Sequence, residues 1–259
     1  LQEGTYPTSS DDNRNIYFDV PNGVQLLGGF TGREKNASAR NPKDHKTILS
    51  GEIGGKEHSD NAFTVVRIAD ASKETMLDGL IISGAYANGH GPTADPSRAG
   101  GGLLVTVSKP ELSCTPTLIN CTLSDNFARD GGGAYVDGRA GVAKPSFVNC
   151  TFRQNSADID GGAIYNDGRR RGEASPSFVD CTFENNEANY GGAIFNQATK
   201  GVSNPRLSSC HFRENHAYVR GATIYNLAHQ GENRPVLVDC VFEELSDKAN
   251  DDSSLARGN

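Results

Sequence analysis

The chain of 259 residues has no tryptophan and a single methionine, and aromatic residues make up 7% of it. In its loops, Tyr86, Tyr190 and Tyr218 are the main aromatic candidates for stacking against a sugar ring, a thin supply for that kind of recognition. No apolar run approaches the roughly 18 residues that a membrane helix needs, so no transmembrane segment is expected. The opening "LQEGTYPTSS" has neither a basic start nor an apolar stretch, and does not read as a signal peptide; a mature secreted chain and a cytosolic one would both look this way. Positive charge is also short: 25 Lys and Arg against 32 Asp and Glu leave a net charge of −7, which argues against nucleic acid as a partner. The six cysteines form no CxxC and no Cys/His spacing of a metal site. Hydrophobic residues, at 36%, are too few for a broad core, although they suffice for a narrow continuous one.

What the chain does have is a period. "NCTFRQNSADIDGGAIYN" begins at Asn149 and returns as "DCTFENNEANYGGAIFN" and "SCHFRENHAYVRGATIYN". Cys121, Cys150, Cys181, Cys210 and Cys240 are spaced by 29, 31, 29 and 30 residues, each five positions after a proline: Pro116, Pro145, Pro176, Pro205 and Pro235. Ala134, Ala163, Ala193 and Thr223 keep the same beat in the Gly-Gly-Ala element. Such regularity marks structural repeats. Within a repeat, apolar residues alternate with period 2, placing Val148, Cys150 and Phe152 on one face, and no ten-residue helical pattern interrupts them. Short strands in a turn of about thirty residues, stacked on their own copies about 4.8 Å apart, describe an all-β, right-handed parallel β-helix, a single-stranded solenoid of about eight coils. Residues 1–110 read as irregular N-terminal coils, 111–245 as regular repeats, and 246–259 as a polar C-terminal tail.

Stacking assigns most repeated letters to architecture. Val, Cys and Phe are expected to point inward, with the cysteines forming a ladder of mostly free thiols; Cys114, off the beat, is near enough in sequence to Cys121 for a pairing that the pattern does not favour. Asn126, Asn155, Asn186 and Asn215 share one turn position, where stacked amides can bond one another and the backbone. Gly161 and Gly191 permit a sharp corner. Arg153, Glu184, Arg213 and Glu243 alternate in sign along an outward row and predict solvated ion pairs.

The "FRQN", "FENN" and "FREN" stretches, with "GGAIYN" and "GGAIFN", resemble the repeats of chlamydial polymorphic membrane proteins and, more broadly, right-handed parallel β-helix proteins of bacterial surfaces. "EGTYPT", "VQLLGGFTGREKNASARNP", "TILSGEI" and "MLDGLIISGAYANG" are similar to the opening coils of such proteins. The resemblance implies an extracellular, cell-surface or outer-membrane location. It leaves the activity open, because proteins of this fold range from adhesins to pectin lyase-like polysaccharide-degrading enzymes. The sequence opens inside a coil and its pattern dissolves after Phe242, as expected of a fragment, a processed passenger or one unit of a larger assembly.

Three groups could carry chemistry. Arg139, Arg169, Arg170, Arg171 and Lys200 sit in loops after successive "GGA" strands, and stacked loops would make a basic strip for an anionic glycan; the same charges also keep a solenoid soluble. A polysaccharide lyase would use such a Lys or Arg as base on the sugar, with Ca²⁺ or another cation neutralising the uronate. Asp130, Asp158 and Asp160 are the candidate Ca²⁺ ligands, although Asp is common in turns for backbone reasons; no other cofactor is expected. "NGHG" around His90 resembles the Gly-His-Gly of polygalacturonases, but Asp78 and Asp95 lack that family's surrounding motifs, and Asp11-Asp12 and Asp251-Asp252 lie near the termini. Glycosylation sequons occur at Asn36, Asn120 and Asn149, the last two placed in strands by the repeat. The leading expectation is a non-catalytic extracellular module, adhesin- or passenger-like, that presents loops to a protein or polysaccharide or stacks with copies of itself. The competing one is a lyase on an anionic glycan, and a carbohydrate-binding module would share its groove without the base.

Overall fold

The computed structural model describes residues 1–55 and 57–243; the tail assigned to 246–259 and the Asp251-Asp252 pair lie outside the described residues. The chain winds as an all-β parallel solenoid, and among the described residues the only helical pieces are two 3-10 turns, Ala37–Ala39 and His58–Asp60. Every strand pairing is parallel, and non-consecutive strands neighbour each other throughout. Three long sheets form the walls. Sheet I has eight strands running from Gly4–Pro7 to Val241–Glu243, sheet II seven from Phe18–Val20 to Ile224–Leu227, and sheet III seven from Gln25–Leu27 to Val236–Val238. Those strands define six to seven turns, fewer than about eight. The register partners Gly4 and Thr47, Ile48 and Ile81, and Ile81 and Thr122 set early turns of 43, 33 and 41 residues, so dividing length by a period near 30 overcounts.

Left-handed corners make the turns tight. Asn120, Asn149, Asp180, Ser209 and Asp239 all have φ between 51 and 53°, and each separates a sheet III strand from a sheet I strand. The conformation is costly for most residues and least so for Asn and Asp. The corner also corrects the straight-strand reading of the repeat. An added residue breaks the alternation, so Phe147, Cys150 and Phe152 point inward while Val148 is only half-buried and Val179 is 37% exposed. The two sequon residues Asn120 and Asn149 are therefore corner residues, not strand residues. Gly161 and Gly191, at φ 68 and 64°, supply the sharp corner that leads into the sheet II strands, as expected. Ala134, however, pairs with Ile164, so Gly133 stands opposite Ala163 of the Gly-Gly-Ala element, because the register slips by one at the bulge between Ala128 and Asp130.

Inside, like stacks on like. One inward row runs Leu49, Ile82, Leu123, Phe152, Phe183, Phe212, Phe242. The phenyl rings of its later members lie 4.8 to 4.9 Å apart and within 6° of parallel, and Phe147 and Phe178 stack beside them at 5.1 Å. All six cysteines are free, and burial pushes the Cys150 thiol well above its ordinary pKa and Cys114 up to about 11. The amide ladder forms as read: Asn126 Nδ2 donates to Asn155 Oδ1 (3.1 Å), Asn155 to Asn186 (3.0 Å) and Asn186 to Asn215 (2.9 Å). A second ladder, Asn166 to Asn196 to Asn226, both steps 2.8 Å, fills an inward row of sheet II that the repeat pattern did not single out. The alternating charges also meet, with Arg213 3.8 Å from Glu184 and 3.4 Å from Glu243.

Candidate functional site

Sheet II carries the strongest concentration of chemistry, on its outer face. In the strands Ala134–Asp137, Ile164–Asp167 and Ile194–Gln197, Ala134, Val136 and their partners face the main core, so strand alternation sends Tyr135, Tyr165 and Phe195 outward. They are nevertheless 0 to 3% exposed. Their rings stack at 4.8 and 5.0 Å and form a separate apolar cluster with Ala99 and Leu104, against which Ala94, Tyr190 and Tyr225 pack.

Two positions further along each strand the same face carries Asp137 and Asp167, register partners. Asp167 is fully buried and accepts from the Tyr135 hydroxyl (2.5 Å), from Arg169 Nε and its terminal nitrogen (2.8 and 2.7 Å), and lies 3.2 Å from Arg139 Nε. Asp137 takes the Arg139 guanidinium through two bonds, 2.8 and 2.9 Å. A carboxylate removed from water is tolerated only when its lone pairs are filled in this way. The hydrogen bond from each guanidinium to its aspartate pushes the Arg139 and Arg169 pKa values above even the usual arginine range. The repeated Asp-Gly-Arg, "DGR" at 137–139 and 167–169, was the sequence signal for this network; counting basic residues alone hid the acidic half of it.

The five basic residues therefore divide. Arg139 and Arg169 turn onto the carboxylates, and Arg139 also reaches the Thr93 carbonyl at 3.0 Å. Arg170, Arg171 and Lys200 are exposed at the tips of two adjacent loops, each in the left-handed region (φ 61, 69 and 55°), and the Arg171 amide donates to the Lys200 carbonyl. The acidic candidates divide too. Asp130 and Asp160 are register partners beside the aromatic stack, and Arg98 holds Asp130 at 3.0 Å. Asp158 is exposed, at the bulge where the pairing shifts between Ala128 and Asp130. Burial, reinforced by the neighbouring Asp130 charge, pushes Asp160 up to about 7; burial also raises Asp130, against the pull of Arg98. Among the described residues no group of three or more His, Cys, Asp or Glu side chains is arranged to hold a metal ion.

Elsewhere, His90 is exposed in its loop, and Asp95 caps the amide of Ser97. Asp78 is clamped by Arg40 and accepts from Asn120 Nδ2 at 3.0 Å, so these two aspartates are held by separate parts of the fold. A cleft of about 250 Å³ lies against Arg14, Tyr17 and Phe63, but Arg14 is already spent on the Asn61 and Tyr86 carbonyls and stacks 4.0 Å from the Phe63 ring. No helix among the described residues is long and apolar enough to cross a membrane.

Comparison with known proteins bears on the repeats. No curated protein and no solved structure matches the chain significantly. A family model does: the Chlamydia polymorphic membrane protein repeat matches residues 149–167 and 180–197, two consecutive coils of the parallel solenoid that run from the Asn149 corner through the Asn155 rung to Asp167, and from the Asp180 corner through Asn186 to Gln197.

Proposed function

We propose that the chain is a non-catalytic module of a bacterial cell surface, passenger- or adhesin-like, in which the solenoid is a rigid carrier and its loops meet a partner. The observation that carries this reading is that the convergent charges of sheet II are spent inside the protein. Of the five candidate loop bases, Arg139 and Arg169 are the two that meet carboxylates, and both are held protonated by Asp137 and Asp167. A lyase base must take a proton from the sugar, and a guanidinium so held is a poor acceptor. The surface location draws its support from the match to the repeat of a membrane protein. The protein or polysaccharide it meets, or a second copy of itself, is left to the binding experiments that follow.

Antibody raised against residues 111–243 should label intact producing cells without permeabilisation. Labelling only after permeabilisation would overturn the surface reading. In parallel, pectin, alginate and glycosaminoglycans incubated with the chain, with and without Ca²⁺, should give a flat ultraviolet trace. A rise from β-elimination would restore the lyase, with Arg170, Arg171 and Lys200 as the first bases to replace.

A further inference from the structure

The first coil is long because residues 29–46 leave the wall of the solenoid before the strand Thr47–Ser50 begins. This excursion stands beside the corner between sheets III and I and makes one side of a groove of about 420 Å³. Arg40, Lys43 and Lys46 line that side, and the floor is the corner itself: Asn120, Thr122, Asn149 and Thr151, from two successive coils. None of these residues belongs to the sheet II face.

The floor is a built polar surface. Asn149 Nδ2 donates to Asn120 Oδ1 at 2.7 Å, Asn120 Nδ2 donates to Asp78, and Asp78 is fixed by Arg40. The amides are thus held in place by one another and present the same edge at the coil spacing of about 4.8 Å. Thr122 and Thr151 are register partners, and no partner among the described residues holds their hydroxyls. Lys43 and Lys46 are exposed and pair with no carboxylate among the described residues; Lys46 Nζ reaches only the Pro42 carbonyl, at 3.4 Å. In a chain of net charge −7, two free ammonium groups over a hydroxyl- and amide-lined floor form a local positive site.

We propose that this groove binds an extended uronate oligosaccharide lying along the solenoid axis, with Lys43 and Lys46 taking its carboxylates and the Asn120/Thr122 and Asn149/Thr151 rungs its hydroxyls. The inference rests on the surface-module reading and names the chemistry of its partner. Two features favour a glycan over an acidic peptide. The floor strand Thr122–Ser124 is paired on both sides, with Ile81–Ser83 and Thr151–Arg153, and Thr151–Arg153 pairs onward with Thr182–Glu184, so the floor has no open backbone edge for a peptide strand to join. The floor instead repeats small hydroxyls and amides at even steps, flanked by the partly exposed apolar Ile81 and Pro42, which suits the mixed polar edge and CH face of a pyranose.

Calorimetric titration of the full chain with galacturonan and hyaluronan hexasaccharides, at low and high salt, tests the proposal. Binding to at least one is expected, weakening with salt. Lys43→Ala combined with Lys46→Ala should lower affinity about tenfold or more, the loss of two charge-assisted contacts. Thr122→Val with Thr151→Val should weaken binding without changing its salt dependence. Arg170→Ala, Arg171→Ala and Lys200→Ala together should leave affinity unchanged. Absence of binding to either uronate, wild-type affinity in the double lysine variant, loss of affinity in the loop variant, or equally tight binding of polyglutamate would each overturn it. Circular dichroism of every variant establishes that the fold is kept. Surface labelling and titration are separate readouts, so a chain that labels on cells yet binds no uronate sinks the groove alone, and one that binds uronate but never reaches the surface sinks the surface reading alone.

Discussion

The early coils and the regular coils share one scaffold and differ in what fills each row. Along the inward row of sheet I, Leu49, Ile82 and Leu123 give way to Phe152, Phe183 and Phe212. In sheet III, Leu77 and Leu118 give way to Phe147 and Phe178. In sheet II, Val105 and Val136 give way to Asn166 and Asn196. On the outside of sheet I, Ser50, Ser83 and Ser124 are followed by Arg153, Glu184 and Arg213. Four rows change chemistry at the same step of the winding, between the coil around residues 118–137 and the next. The early coils achieve closure with aliphatic packing and long excursions, residues 29–46 beside the corner groove and 88–98 against the sheet II face. The later coils rely more on like neighbours, although the sheet III row returns to Leu207 and Leu237. A row of like residues is stable only if the residue tolerates its own copy at about 4.8 Å, which flat rings and amides do well.

The largest effect should come from breaking the aromatic row. Phe183→Ala removes a ring stacked on both sides and should cost about 3–5 kcal/mol, read as a lower urea midpoint. Ile82→Ala, in the same row of an early coil, should cost less by about 1 kcal/mol, the part that ring stacking adds beyond buried area. Equal losses would remove the distinction between the two kinds of coil.

A smaller effect should follow pH, at the seam where an early-coil loop meets the regular coils. Asp160 keeps its proton up to about pH 7 in the folded chain, against an ordinary value of 3.8, because of burial and the adjacent Asp130 charge; Arg169 and Arg129 oppose the shift. The folded state therefore binds more protons than the unfolded state between those values. The resulting stability is fully present below about pH 4 and is lost as pH rises through 7, a change of order a few kcal/mol. Denaturation midpoints measured across that window should fall for the natural chain and stay nearly level for Asp160→Asn. A slope that survives the substitution would place its origin elsewhere.

The smallest effect concerns the outward charges. A double-mutant cycle on Glu184 and Arg213 should give a coupling of about 0.2–0.5 kcal/mol that disappears in high salt, since Arg213 is exposed and Glu184 still partly reaches solvent. The serine row of the early coils offers nothing to couple, and a coupling of zero would make the charged row a matter of solubility alone.

Much of this was legible in the letters. The cysteine and proline spacing gives the period, "FxxN" gives the amide ladder, and the alternating Arg and Glu give the outer row, because each depends only on a residue meeting its own copy. What was not legible depends on backbone curvature. The left-handed corner at Asn149 turns Val148 away from the core, and no alternation rule anticipates an extra residue at a bend. The bulge between Ala128 and Asp130 shifts the register by one before Ala134, so letters that align by eye do not align in register. The buried outer stack of Tyr135, Tyr165 and Phe195 was hidden because outward positions are assumed wet, and the Asp137–Arg139–Asp167–Arg169 network because only the basic half was counted. The corner groove needs residues some eighty to a hundred positions apart, which no local pattern joins.

The amide ladders have one more consequence: they give the solenoid a sense of direction. In the rows from Asn126 to Asn215 and from Asn166 to Asn226, every amide-to-amide bond is donated toward the later coil, while the corner row donates from Asn149 back through Asn120 to Asp78. The inner rows thus run like current in one wire and the corner row like the return. Each dipole strengthens the next in its own row, so a coil spliced in after Asn155 would be accepted without a break if it brought its own asparagine in the same orientation, and would cut the line if it did not. Lengthening or shortening such a rod is therefore quantised in whole turns.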